Sequence, residues 1–132
     1  MPKSLSVYNA ASYATDAEEK RYGEAYRETR RTLDELIELL IIKQEYASTN
    51  AEKIKIARQR RLLLNERDSL VQARIDYNNQ DAVMTPPTPR QVQAILNISK
   101  QAVALTAQNA KLSTILQIAT KVLGEFEEIQ IL

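Results

Sequence analysis

Basic side chains at a seven-residue period are the most pronounced chemical pattern in this chain. Lys53, Arg60, Arg67 and Arg74 recur at every seventh position. Seven residues make nearly two helical turns, so on a helix the four share one side. A guanidinium is a permanent cation with a planar fork of donors, suited to carboxylate or phosphate. Arg60, Arg67 and Arg74 fall between two apolar flanks, Ile56, Leu63, Leu70 and Ala57, Leu64, Val71. Their stems therefore lie within an apolar face. Either the heads snorkel to the edge of a helix pair, or the charges select register and partner at a cost in stability. The second reading calls for carboxylates from the first helix or from an acidic helical partner.

A second cluster overlaps the first. The run 53–61 holds five cations (Lys53, Lys55, Arg58, Arg60, Arg61) and no acid. Such a run can take phosphate from nucleic acid or from anionic lipid. These cations wind around a helix rather than forming one stripe, and no aromatic residue is interleaved to stack on bases. Weak nucleic-acid binding is thus an alternative that predicts affinity falling steeply with salt.

Catalytic chemistry finds little support. The chain has no His and no Cys, which removes thiolate nucleophiles, the Ser-His-Asp triad, the usual zinc and iron–sulfur sites and any disulfide. No Gly-rich phosphate loop is present. Glu24 and Glu28 lie one helical turn apart, but on a face expected to be solvated. Six tyrosines, Tyr8, Tyr13, Tyr22, Tyr26, Tyr46 and Tyr77, read as packed aromatics or interface anchors. The expectation is a non-enzymatic protein with no catalytic residue, cofactor or metal ligand.

The elements that position these groups follow from composition. Of 132 residues, 44% are hydrophobic and 27% charged, with a formal net charge of +1. That balance suits a folded chain and gives no global pull towards polyanions. Gly and Pro are nearly absent from the interior, while helix-forming residues dominate. Three helices are expected, over 16–47, 51–78 and 89–128. They form a single helical-bundle domain, 15–132, behind a flexible arm, 1–14, with a Pro-rich linker, 82–88. Thr15 is the expected N-cap of the first helix and Asn50 of the second. Thr88, Pro89 and Gln91 form a capping-box pattern for the third. The three residues at 48–50 make the first two helices an antiparallel hairpin. Its partners are complementary: nine acids against six bases over 16–47, four against seven over 51–78.

The third segment governs the functional expectation. No carboxylate occurs between Asp81 and Glu125. One face carries Ile95, Ile98, Ala102, Leu105, Leu112, Leu116, Ala119, Leu123 and Phe126, and a second carries Val92, Leu96, Val103, Ala107, Ala110 and Ile118. A single helix of 40 residues would reach about 60 Å, longer than the hairpin, and two shorter helices would leave its second face wet. The stretch 36–42 of the first helix is apolar nearly all round, with Leu39 and Ile42 opposite the main stripe, and so needs more than one neighbour. Large apolar patches mark interfaces.

The fold expected is therefore all-α: an antiparallel hairpin plus a longer third helix, an elongated bundle completed by oligomerisation. A homo-oligomer, a dimer before others, would close it through Leu39, Ile42, Leu96, Val103, Ala107, Ala110 and Ile118, with Arg60, Arg67 and Arg74 setting register or partner. On this reading Val103→Glu with Ala110→Glu breaks assembly. The alternative is a membrane-active component, or one of a secretion or toxin system, whose third helix inserts into a membrane or translocates. No run approaches the ~20 apolar residues of a bilayer span and no signal peptide is apparent, which makes the cytoplasm the default location.

Overall fold

The computed structural model describes residues 15–79 and 83–131, with the backbone alone described at Val83, Met84, Gln130 and Ile131. The arm 1–14 lies outside the described residues. The order along the chain is α1 (Asp16–Glu45), α2 (Asn50–Asn78), β1 (Val83–Met84), α3 (Pro89–Val103), α4 (Leu112–Glu127) and β2 (Gln130–Ile131). The all-helical reading holds.

Each start has a local cause. At α1 the Thr15 hydroxyl accepts the Glu18 N–H at 3.1 Å, and the Glu18 carboxylate accepts the Thr15 N–H at 2.9 Å. The bond from the Thr15 N–H holds the Glu18 carboxyl below its ordinary range, as a hydrogen bond to the charged form should. Thr88 and Gln91 make the same reciprocal pair at α3, with Pro89 in the first turn. At α2 the cap is Thr49, whose hydroxyl accepts the Glu52 N–H at 3.1 Å. Asn50 is the first helical residue instead of the expected cap. Threonine one position earlier reaches the same orphan donors.

The main departure is in the third segment. The expected helix over 89–128 is two helices that fold back on each other. After Val103 the chain tightens, with the Leu105 N–H donating to the Ala102 carbonyl at 3.1 Å. Thr106 and Asn109 then cap one another: the Thr106 N–H donates to Asn109 Oδ1 at 2.9 Å, and the Asn109 N–H to Thr106 Oγ1 at 3.2 Å. Such side chains offer the backbone an alternative to helix. The two apolar faces explain why the turn is favoured. The buried residues of α3 are Val92, Ile95, Ile98, Ser99 and Ala102, and those of α4 are Ile115, Ile118, Ala119, Val122 and Phe126. Each set is one face at helical spacing. Two faces on one continuous helix become one face on each of two helices. Gly124 stays inside α4 without ending it.

α1 is the central element. α2 returns antiparallel along it, α3 also packs along it, and α4 covers both α1 and α3. Pairings along α1 give the directions. Arg21 Nε donates to the Pro87 carbonyl at 2.8 Å, the Ser99 hydroxyl to Glu28 at 3.2 Å, and Lys43 Nζ to the Ala107 carbonyl at 3.4 Å. α3 and the turn after it therefore run parallel to α1. The apolar belt at Leu36, Ile37, Leu39 and Leu40 is buried within one chain. The expected linker also does more than connect. Val83 and Met84 pair antiparallel with Ile131 and Gln130, and the Thr85 N–H donates to the Ile129 carbonyl at 3.0 Å.

Candidate interaction surface

The arginine stripe occupies the α1–α2 seam and its members meet different surroundings. α2 buries Ile56, Leu63, Leu70 and Tyr77, one residue in each seven, because only α1 accompanies it along its length. The arginines alternate with these residues. Arg67 reaches Asp34 of α1 and its neighbour Asp68, both at 3.3 Å. Its pKa is pushed above the ordinary arginine value, first by the bond to Asp34 and then by that to Asp68. Its carboxylate partner thus comes from the same chain. Arg67 Nε is buried without a partner among the described residues.

Arg74 is held differently. Its guanidinium carbon lies 5.0 Å from the Tyr22 ring centre, 5.5 Å from Tyr26 and 5.8 Å from Tyr77, within reach of cation–π attraction. The rings form their own cluster: Tyr22 is 4.7 Å from Tyr77 and 6.0 Å from Phe126. Burial, followed by the Glu19 carboxylate that accepts the Tyr77 hydroxyl at 3.3 Å, pushes the Tyr77 phenol well above its ordinary value. Arg60 is half-buried and has no ion pair among the described residues.

The residues expected at an interface divide. Leu39, Ala110 and Ile118 are buried inside the chain, at 8%, 3% and 4% exposure. They are removed from any free surface because α4 folds back over α1 and α3. The substitution Ala110→Glu would accordingly disturb the core instead of a contact. Leu96 is half-buried on α3. Ile42 and Ala107 are brought together at the hairpin end, lining one recess of about 570 Å³ with Lys43, Tyr46, Ala47 and Glu52. Val103, 52% exposed, ends α3 at that same end of the bundle.

Tyr46, grouped in the sequence with the tyrosines expected as packed aromatics or interface anchors, is 81% exposed and was not singled out among them. Its signal was its place off the apolar stripe, next to the helix end. Glu28, expected on the outer side, instead accepts from buried Ser99 and lies 3.7 Å from Arg31. Among the described residues no cluster of carboxylates could hold a metal ion, and no helix is long and apolar enough to cross a membrane. At 15 and 16 residues, α3 and α4 each fall short of the ~20 that a span needs. Comparison with protein-family models, with curated proteins and with solved structures finds no match.

Proposed function

We propose that this chain is a non-enzymatic helical interaction protein that self-associates at its hairpin end, its partner being a second copy. The observation that carries this reading is Tyr46, a large aromatic residue 81% exposed beside a recess of mixed apolar and polar lining. Tyrosine offers contact area at little entropic cost and anchors interfaces. Ile42, Ala47 and Ala107 supply its apolar lining beside Thr106 and Gln108, and Val103 is exposed at the same end of the bundle. The recess also carries one cation, Lys43, and one acid, Glu52. In an isologous contact each faces its opposite on the other copy, which makes the patch self-complementary. A net charge of +1 sets up little repulsion between copies.

The test is mass by light scattering after size exclusion, at two concentrations. The reading expects twice the chain mass of 15.0 kDa. It expects Tyr46→Glu with Val103→Glu to return the mass to 15.0 kDa with helical circular dichroism unchanged. A wild-type chain that stays at the single-chain mass at both concentrations contradicts it.

A further inference from the structure

Gly23 sits inside the 30-residue α1 and is buried, where glycine weakens a helix relative to alanine. The reason is local. A Cβ at this position would lie 3.2 Å from Arg27 Nη1, so the missing side chain lets that guanidinium lie back against the helix. Arg27 and Arg74 line the same recess, of about 570 Å³, together with Lys20 and Glu24. Arg74 is fixed from behind by three tyrosine rings at 5.0 to 5.8 Å. Unlike Arg67, neither Arg27 nor Arg74 has a carboxylate within 4.0 Å among the described residues. Of the other groups lining the recess, Arg21 is committed to the Pro87 carbonyl and Glu19 to the Tyr77 hydroxyl.

We propose that this recess binds a phosphate-type oxyanion between Arg27 and Arg74. Three uncommitted cations against one acid, Glu24, leave two positive charges, which a phosphate dianion matches and a single carboxylate does not. Two guanidinium forks supply donors for several oxygens of one tetrahedral group. The aromatic wall behind Arg74 limits its hydration and strengthens the attraction. The same chemistry is met by free inorganic phosphate or by a phosphomonoester carried on a partner.

The chain has no Trp, and three of its six tyrosines surround Arg74, so tyrosine emission includes those rings. The full chain is titrated with inorganic phosphate and with O-phosphoserine, against sodium chloride at matched ionic strength. The expected result is a saturable change with a Kd of roughly millimolar order. Tighter binding of phosphoserine assigns the source to a phosphorylated partner, and tighter binding of inorganic phosphate assigns it to the free anion. Arg27→Gln, on an exposed residue, should weaken binding about tenfold, equivalent to ~1.4 kcal/mol. Gly23→Ala retains every charge and favours helix, yet makes the Arg27 tip give way by a few tenths of an ångström; it should weaken binding by less than Arg27→Gln does, while the melting temperature does not fall. No saturable response beyond chloride overturns the proposal, as does wild-type affinity in both variants. The site lies at the opposite end of α1 from Tyr46, so Tyr46→Glu should leave phosphate binding unchanged.

Discussion

The two ends of the bundle are built on different terms. At the aromatic end, four stretches of chain are tied to one another. Tyr22 of α1 meets Tyr77 of α2 and Phe126 of α4 in tilted ring contacts, Gln91 of α3 reaches Glu128 at 3.4 Å, and β1 and β2 pair across the two ends of the α3–α4 unit. Ile129 is fully buried there. At the hairpin end, bonds are mostly within each turn, and Lys43 to the Ala107 carbonyl is the cross-link between the two turns among the described residues. Its largest apolar group, Tyr46, faces outward. The chain ties one end together by itself and leaves Tyr46 and Val103 exposed at the other. That contrast places intrachain stability at the first end and proposed association at the second.

The largest expected effect comes from truncating one aromatic residue at each end. Tyr22 is fully buried, so Tyr22→Ala should cost about 3–5 kcal/mol, as large-to-small core changes do. Tyr46→Ala should change the unfolding free energy of the dilute chain by less than about 0.5 kcal/mol. Equal losses in urea titrations of the two variants would break the comparison.

Alkaline pH acts on the aromatic end next. The folded Tyr77 phenol titrates above its ordinary value, chiefly through burial. The resulting stabilisation is complete below the ordinary tyrosine pKa of about 10 and is lost as pH rises through the folded value. Stability should fall above about pH 10 by up to ~1.4 kcal/mol per pH unit from this group. Tyr77→Phe should flatten that limb in pH-dependent unfolding; an unchanged limb would show that Tyr77 does not control it.

The turn between α3 and α4 gives a smaller effect. Thr106→Ala removes the hydroxyl that accepts the Asn109 N–H and should cost ~1 kcal/mol, the usual size of a lost cap. Thermal unfolding checks it, and an unchanged midpoint would mean that packing alone sets the turn. The smallest effect is at Glu18. Its carboxyl is held low by the Thr15 N–H, so its contribution is present above the ordinary glutamate pKa and fades as pH falls through the depressed value. Glu18→Gln should make the acid limb of unfolding slightly shallower; a steeper limb would contradict the assignment.

Much of the fold was legible because its causes are local. Thr15 and Glu18, and Thr88 with Pro89 and Gln91, announce helix starts by chemistry that acts over three residues. The apolar belt at 36–42 announced more than one neighbour, and it has them within its own chain. The break at 104–111 was not legible from punctuation, since it contains neither Gly nor Pro. Its signals were Thr106 three residues before Asn109 and an apolar stripe that changes phase between Ala102 and Ile115. Read as one helix, those phases became two faces and called for an oligomer to cover them. The arginine period was visible, but its meaning was not. Asp34 beside Arg67 and three tyrosines beside Arg74 are set by how α2 lies on α1, and no spacing within α2 encodes that.

The comparison between the two ends rests on α3 and α4 folding back. The chain has no cysteine, so Arg90→Cys with Glu127→Cys, both exposed, can be labelled cleanly with nitroxides and diluted with unlabelled protein. The distance between them by pulsed electron resonance tests the fold directly. A helical hairpin predicts roughly 20 Å or less, allowing for the reach of the labels from the adjacent pair Gln91 and Glu128. A distance near 55 Å, the span of 37 residues at about 1.5 Å each in one helix, would contradict it.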